Sequence, residues 1–295
     1  MNENPSILKF GGKEAENKDV YNPTAPFLDR GIKFLAARVE SRASEMDTQT
    51  LFFREENGVW QHDSGTPGFP LQDPFICRIG QEIVFGGVRF PVENNSWRTE
   101  FYKGADLLHL KKFAEGPLGM KDIRLVELHD HRVGLFTRPQ GEIGGRGKIG
   151  FTVIDSLEKL NETKWLGAEL IPRQFGEEEW GGANEVHLLR EGLVGVLGHK
   201  ASFSYDKEGR LLKHYYSAVF SFEYILMKAS PLKIVARRSD FPKGEAKRSP
   251  ELDDVLYSGG LRALDDHWSE LYAGLSDVQC GRIVIKNPFR EYLGG

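Results

Sequence analysis

The sequence has little of what would mark a metal or disulfide protein. Its 295 residues include two cysteines, Cys77 and Cys280, which lie far apart and lack metal-type spacing. Two buried free thiols are the interpretation that this spacing favours. His129 and His131 are expected in an exposed hairpin turn, and no third ligand follows them at a suitable spacing. No metal site is therefore predicted.

Long apolar runs and an excess of basic charge are also absent. No run is long enough to cross a bilayer, and the first five residues have neither a basic start nor an apolar core. The formal net charge of -4 disfavours a dedicated nucleic-acid binder, which needs a basic field. We therefore expect a cytoplasmic protein with no membrane or nucleic-acid partner. The sequence leaves its oligomeric state open.

Strand and turn residues dominate what is present. Aromatic residues make up 11% of the chain, and 33 glycines accompany them, a composition that favours strands and turns over helical bundles. No long amphipathic helix interrupts the short strand-like segments. The hydrophobic fraction of 40% is sufficient for a sizeable core.

Five groups of strand-like segments follow one another, each roughly 50 to 75 residues long and each opening with a polar cluster. The openings are Val20 to Phe27, Pro70 to Phe75, Lys121 to Arg124, Trp180 to His187 and Val255 to Gly260. This period is typical of propeller blades. We predict an all-β fold in which residues 1–295 form a single five-bladed β-propeller with an axial active-site pocket. Residues near Ile7 to Phe10 are expected to close the last blade; a pair of β-sandwiches is the structural alternative.

A polar loop with many glycines follows the predicted strand Val133 to Thr137. It carries Arg138, Glu142, Arg146 and Lys148 among four glycines. Glycines allow a close approach of the backbone to a ligand, and arginine pairs bidentately with phosphate. The composition indicates a polar, anionic ligand, with a solvated hairpin tip as the alternative.

Four motifs spread along the chain resemble one family. They are Tyr21-Asn22-Pro23-Thr24-Ala25-Pro26, Gly119-Met120-Lys121-Asp122-Ile123-Arg124, the loop from Arg138 to Lys148, and Trp180-Gly181-Gly182-Ala183-Asn184-Glu185. The chain resembles the β-1,2-mannan transferase/phosphorylases of glycosyltransferase family 108, the mannogen-turnover type of trypanosomatid parasites. It is more distantly similar to the β-mannoside phosphorylases of glycoside hydrolase family 130. Both relatives are five-bladed propellers.

The resemblance implies an inverting β-1,2-mannoside phosphorylase/mannosyltransferase. Such an enzyme moves mannose between a mannose-containing oligosaccharide and phosphate, by way of mannose 1-phosphate. Inorganic phosphate is then a co-substrate, and no cofactor is expected. Asp73 of Gln72-Asp73-Pro74-Phe75 takes the place of the family 130 acid, although the flanking Glu and Arg of that family are absent. The resemblance assigns phosphate binding to Arg138, Lys148 and His199, and donor mannose binding to Asp277.

The other polar residues of the group openings are candidates for the sugar. The predicted substrate-binding set is Asn22, Arg38, Asp122, Glu142, Trp180, Asn184, Glu185 and Asp277. Asp122 is the second candidate for the acid, and Glu142 or Glu185 could be the base of a hydrolase. For most of these residues a turn-stabilising or buried structural role is the alternative.

Three other functions stay open. A β-mannosidase that uses water needs two carboxyl groups, and it is favoured if Arg138, Lys148 and His199 do not converge. A transferase with a nucleotide-sugar donor needs no recognisable nucleotide motif in this family. A propeller that only binds glycans would not need an acid beside a cationic pocket.

Overall fold

The computed structural model describes residues 3–163 and 165–292. Its first eleven strands are β1 (Glu3–Ile7), β2 (Phe10–Gly11), β3 (Asp19–Tyr21), β4 (Phe27–Asp29), β5 (Ile32–Glu40), β6 (Gln49–Glu56), β7 (Val59–His62), β8 (Gln72–Ile79), β9 (Glu82–Arg89), β10 (Arg98–Gly104) and β11 (Lys111–Glu115). The next twelve are β12 (Arg124–Glu127), β13 (Val133–Thr137), β14 (Gly150–Ile154), β15 (Glu169–Leu170), β16 (Glu179–Arg190), β17 (Leu193–Tyr205), β18 (Leu211–Glu223), β19 (Lys228–Ala229), β20 (Lys233–Ala236), β21 (Asp254–Ala263), β22 (Trp268–Leu275) and β23 (Gln279–Lys286).

The helices of the described ranges are short, with three to six residues each. One α-helical turn, α1, spans Gly141–Gly144 within the glycine-rich loop. The 3₁₀ turns are Lys13–Ala15, Glu93–Asn95, Leu107–His109, Leu157–Glu162, Trp165–Gly167, Arg238–Asp240 and Arg290–Tyr292. The expected all-β fold is confirmed.

The strands form four sheets in the order of the chain. Strands β2 to β7 make a six-stranded sheet, β8 to β11 and β12 to β15 make two four-stranded sheets, and the remaining strands make a nine-stranded sheet. In the last sheet, β16 to β20 and β21 to β23 are two antiparallel parts. Within the described residues, backbone pairing between these parts is limited to a short parallel pairing of His214–Tyr215 with Asp254–Val255. We call β2–β7, β8–β11, β12–β15, β16–β20 and β21–β23 the first to fifth strand groups.

The apolar core lies between successive groups. Phe34 and Phe85 belong to a cluster between the first and second groups, and three further clusters fill the spaces up to the fifth. A fifth cluster joins Leu35 and Val39 of the first group to Tyr272 and Cys280 of the fifth. The groups therefore form a closed ring, since the last packs against the first.

The N-terminal strand completes this ring. Strand β1 pairs antiparallel with β23, with Ile7 opposite Gly281, while β2 pairs with β7 in the first group. The closing segment was expected near Ile7 to Phe10, so it lies earlier in the chain than predicted. The shift arises because Leu8 and Lys9 carry the chain from one sheet to the next, through backbone bonds to Cys280 and Trp60.

Four Asn or Asp residues at turns or strand irregularities have a positive φ: Asn22 follows β3, Asp73 lies at a register shift of β8, Asp122 precedes β12 and Asp277 lies between β22 and β23. The angles are 48° at Asn22, 49° at Asp73, 57° at Asp122 and 56° at Asp277. Asn and Asp tolerate this left-handed region better than other residues with a side chain. The strands β8, β12, β16 and β21 contact one another in sequence, which brings these turns towards one another.

Candidate active site

A cavity of about 180 Å³ lies where the turns meet. Four predicted site residues line it: Asn22, Arg38, Asp73 and Asp277. They come from the first, second and fifth strand groups, so residues more than two hundred positions apart share one wall. The structure thereby brings together the predicted acid and three of the predicted sugar-binding residues.

Asp73 is buried and receives two hydrogen bonds on one oxygen. Asn22 Nδ2 donates to Asp73 Oδ1 at 2.6 Å, and Arg38 Nη1 donates to the same oxygen at 3.4 Å. Its Oδ2 has no protein donor among the described contacts. One oxygen of the carboxyl group is thus fixed, while the other is available to a ligand.

Arg38 is held from behind by a fully buried carboxylate. Arg38 Nε donates to Glu40 Oε2 at 2.9 Å, and Tyr21, Thr48 and Lys247 also donate to Glu40. Burial opposes the charge on Arg38, but the negative field of Asp73, Glu40 and Asp277 raises the pKa of the guanidinium. Arg38 therefore presents a permanent, oriented cation to the cavity.

Asp277 is the carboxyl group of the cavity with a raised pKa. Burial is the main cause, Arg38 opposes it and the neighbouring Asp73 adds to it, giving a pKa of about 6. The group is thus partly protonated near neutral pH and can both donate and accept hydrogen bonds. Asp277 lies on the turn between β22 and β23.

Asp122 has the opposite character. Burial alone would raise its pKa, but the positive field of Arg138, Lys121 and their neighbours holds the pKa well below its usual range. Arg138 Nε lies 3.4 Å from Asp122 Oδ2, and the Tyr257 hydroxyl donates to Oδ1 at 3.1 Å. Asp122 is therefore an ionised carboxylate, which is a poor general acid near neutral pH.

Arg138 lies in the layer behind the cavity. Its Nε donates to the Gly181 carbonyl at 2.8 Å, and its guanidinium packs against Gly147, whose φ is 144°. A Cβ on Gly147 would come within 2.6 Å of the guanidinium, so the glycine is needed for this contact. Arg138 Nη1 is buried and has no partner in the described part of the chain.

His199 is a neutral imidazole. Burial lowers its pKa to about 3, Asp122 opposes this shift and the nearby cations reinforce it. Asn184 Nδ2 donates to the Ser258 carbonyl, so Asn184 Oδ1 is the acceptor that faces His199 Nδ1 at 2.8 Å. That bond places the proton on Nδ1 and leaves Nε2 as an acceptor.

Two residues of the cavity lining have a buried polar atom without a partner. Asn22 Oδ1 and Gln72 Nε2 have no hydrogen-bond partner in the described ranges. A buried polar atom left unpaired costs about 1–3 kcal/mol. Together with Arg138 Nη1, these atoms indicate a place for a polar ligand.

Besides Asp122, Arg138, Asn184 and His199, four more predicted site residues are absent from the cavity lining. Glu142 and Lys148 are exposed on the glycine-rich loop. Trp180 is buried against Phe203, and its Nε1 donates to the Tyr215 hydroxyl at 3.3 Å. Glu185 binds His187 and the Leu261 backbone, and it faces cavities that also border Cys77. Their roles stay predictions; Lys148 is exposed, whereas Arg138 and His199 are buried.

The sequence did not single out several residues that line the cavity. They are Glu45, Lys121, Lys213, Tyr215, Arg248, Leu252 and Tyr257, with Gln72 and Val255. Lys121 lies beside Asp122 in one of the four family motifs, and this position could have identified it as a site residue. Lys213 and Arg248 carried no signal, because their strand and loop reach the cavity only in the folded ring.

Other expectations concern metals, thiols and membranes. In residues 3–163 and 165–292 no cluster of His, Cys, Asp or Glu is arranged to hold a metal ion. Cys280 is buried and Cys77 half-buried, and both are free. His129 and His131 are exposed at the hairpin turn, as predicted. Within the same ranges no helix combines the length and apolarity that a membrane span needs.

Solved structures of two Leishmania mexicana enzymes are similar to this chain over almost its whole length. MPT-4, a mannose phosphorylase whose structure contains a phosphate ion, is 30% identical with a TM-score of 0.91. The match covers 99% of this chain and 91% of MPT-4. MPT-1, a GDP-Man-dependent mannosyltransferase, is 30% identical with a TM-score of 0.89, over 97% of this chain and 90% of MPT-1.

A more distant structure shares only the fold. The β-1,2-mannobiose phosphorylase of Listeria innocua is 12% identical, with a TM-score of 0.64, over 99% of this chain and 93% of its own. No curated protein sequence matches significantly. The family described as "Protein of unknown function (DUF1861)" matches residues 2–291. The chain belongs to this family, and its likeness to the Leishmania enzymes confirms the resemblance that its motifs indicated.

Proposed function

We propose that the protein is an inverting β-1,2-mannoside phosphorylase/mannosyltransferase. The observation that carries the proposal is the single cavity that joins Asp73, Asn22, Arg38 and Asp277 to the cations Lys121, Lys213 and Arg248. An acid, hydroxyl-binding groups and an anion-binding wall are the parts that phosphorolysis requires. The relatives at 30% identity act on mannose and support this substrate class.

We further propose that residues 1–295 form one five-bladed propeller with this cavity on its axis. The five strand groups, the five core clusters between them and the closure by β1 support the count. The nine-stranded sheet then consists of two blades, since only a two-residue parallel pairing joins its parts.

Asp73 is the proposed acid. In phosphorolysis a phosphate oxygen forms a bond to the anomeric carbon while the glycosidic C–O bond breaks. The departing oxygen keeps the electron pair and takes the proton of Asp73, directly or through a mannose hydroxyl. The products are mannose 1-phosphate and the shortened oligosaccharide, and synthesis is the reverse. The ionised state of Asp122 argues against that residue as the acid.

Sugar hydroxyls are assigned to Asn22, Arg38, Asn184 and Asp277, and Asp122 serves as a fixed acceptor. Phosphate is assigned to the side of the cavity that Lys121, Lys213 and Tyr215 line, with Arg138 and His199 behind it. Neutral His199 would accept a hydrogen bond from a protonated phosphate oxygen. The exposed Lys148 has the least structural support among the proposed phosphate ligands.

A β-mannosidase is the second candidate. An inverting hydrolase uses two carboxyl groups, and Asp73 and Asp277 both line the cavity. Water would then replace phosphate as the nucleophile. The two candidates differ in whether turnover requires phosphate.

The deciding experiment incubates the protein with mannose 1-phosphate and a β-1,2-linked mannose acceptor. Phosphate release and a new β-mannoside, detected by anomeric NMR signals, are the expected result. Cleavage of a β-1,2-mannoside without phosphate would support the hydrolase. No turnover of any mannoside, with or without phosphate, would overturn the enzyme proposal.

A further inference from the structure

A strap of thirteen residues, 241–253, forms one wall of the cavity. It runs from the 3₁₀ turn Arg238–Asp240 to the start of β21, and its Arg248 and Leu252 line the cavity. Phe241 and Leu252 are buried and anchor its two ends in the core. The strap lies across the site, because it also contacts the first and fourth strand groups.

Three ion pairs fasten the strap to the first strand group. Glu245 pairs with Arg42 at 3.0 Å and Arg248 with Glu45 at 3.0 Å, both with exposed partners. The third pair joins Lys247 Nζ to Glu40, and the two side chains are 4% and 0% exposed. Exposed ion pairs contribute little to the stability of a protein. Loss of one partner of a buried pair lowers stability much more, because it leaves an uncompensated buried charge. Lys247 is therefore the main fastening.

The fastening is connected to the catalytic side of the cavity. Glu40 binds Lys247 and also Arg38, and Arg38 reaches Asp73. On the other side, the backbone N–H of Lys247 donates to the Ser276 carbonyl at 3.0 Å, next to Asp277. The position of the strap is thus fixed relative to both cavity aspartates.

The resulting cavity is small. Its volume of about 180 Å³ lies below the range of about 300–1,000 Å³ that is typical of pockets for drug-sized ligands. A sugar 1-phosphate is much smaller than a typical drug-sized ligand. A nucleoside diphosphate sugar is larger than such a ligand. The two Leishmania relatives, one a phosphorylase and one GDP-Man-dependent, are equally identical to this chain, so identity does not choose between the donors.

We propose that the strap, fastened by Lys247 on Glu40, restricts the donor to a sugar 1-phosphate and excludes nucleoside diphosphate sugars. This rests on the proposed mannosyl transfer at the same site. With either donor, the anomeric C–O bond to phosphate breaks and the electron pair leaves with the phosphate or diphosphate. The acceptor hydroxyl forms the new bond and gives its proton to Asp73. Only the size of the leaving group differs.

The test compares mannose 1-phosphate with GDP-mannose as donors to one mannose acceptor. For the native protein kcat/KM should favour mannose 1-phosphate by at least about 100-fold. Lys247→Met should lower this ratio at least about tenfold, because it removes one partner of the buried pair and loosens the strap. Arg248→Ala, a change at a half-exposed side chain that carries little risk to folding, should lower the ratio in the same direction, because it removes a side chain that lines the cavity and leaves more room for the larger donor.

Lys103→Met is the matched control. Lys103 also bridges two glutamates, Glu82 and Glu158, but lies outside the cavity, so its variant should keep the native ratio. A native protein that uses GDP-mannose as well as mannose 1-phosphate would overturn the inference and leave the transferase function standing. An unchanged ratio in folded Lys247→Met and Arg248→Ala would also overturn it. Turnover of neither donor would instead remove the proposed function on which it rests.

Discussion

At the scale of single residues, the left-handed backbone conformation orients four carboxyl and amide side chains of the site. Asn22, Asp73, Asp122 and Asp277 all have φ between 48° and 57°. In this conformation the side chain leaves the line of the strand, and short polar residues adopt it at the least cost. Their different surroundings then give Asp122 a lowered and Asp277 a raised pKa.

Asp73→Asn should reduce turnover of an ordinary β-mannoside about 10²–10⁴-fold, the usual effect of removing a general acid. Much more activity should remain on a mannoside with an activated leaving group, which needs little protonation. Initial rates on both substrates give the comparison, with Asp122→Asn assayed in parallel. If Asp73→Asn keeps near-native rates while Asp122→Asn is inactive, Asp122 is the acid instead.

Asp277→Asn should stabilise the protein at pH 7 while impairing its activity. The pKa of Asp277 is about 6 in the folded chain, above its usual 3.8, so ionisation costs stability as the pH rises from about 4 to about 6. The amide avoids a cost on the order of 1–3 kcal/mol at pH 7, and the gain should fade towards pH 4. Urea unfolding of the native protein and of Asp277→Asn at pH 7 and at pH 4 measures the difference in the free energy of unfolding. Asp206→Asn is the control, since Asp206 has a lowered pKa and should give no such gain.

At the scale of elements, the glycine-rich loop places its flanking arginine and leaves its other charges in solvent. Gly147 and Gly182 leave room for the Arg138 side chain, whereas Glu142 and Lys148 are exposed. The loop includes a helical turn, Gly141–Gly144, that its glycine content did not predict. The strand after the loop, β14, begins at Gly150, and the backbone N–H of Lys148 donates to the Pro139 carbonyl at 3.3 Å.

Arg138→Ala should raise the KM for phosphate far more than the KM for the mannoside, because its unpaired Nη1 is the proposed anion contact. Steady-state kinetics with each substrate varied in turn test this. Arg132→Ala, at an exposed arginine of the preceding hairpin, should change neither constant. An equal loss for both substrates in Arg138→Ala would assign the arginine a structural role through Asp122 and Gly181.

At the scale of the whole molecule, closure of the ring holds the site together. Asn22 and Arg38 belong to the first strand group and Asp277 to the last, so their meeting depends on the contact between those groups. Strand β1 covers the edge of β23, which would otherwise expose unpaired backbone groups.

Ile7→Asp should therefore lower the melting temperature, since Ile7 packs against the core of the last group. Placing a carboxylate there costs about 1–3 kcal/mol. Thermal unfolding followed by circular dichroism measures the change. Glu3→Asp, at an exposed position of the same strand, should melt like the native protein. Equal melting of the Ile7 variant would mean that β1 does not contribute to closure.

Features that depend on local patterns could be predicted from the sequence. Alternating strand segments, turns rich in Asn, Asp, Pro and Gly, and the order of five polar openings follow from spacing along the chain. The motifs that indicated the family are also contiguous, and they contain Asn22, Asp122, Arg138 and Asn184.

Which polar residues share the cavity depends on the folded ring and could not be predicted from the sequence. Arg248 and Lys213 reach it from a strap and a strand end that carry no motif. Glu185 borders a different cavity, although its neighbour Asn184 bonds His199. Successive residues of a strand point to opposite faces, so a one-residue difference separates the two. Charge and burial around each carboxylate come from distant groups, because ring closure brings the first and last strands together. The pKa values of Asp122 and Asp277 therefore could not be read from sequence alone.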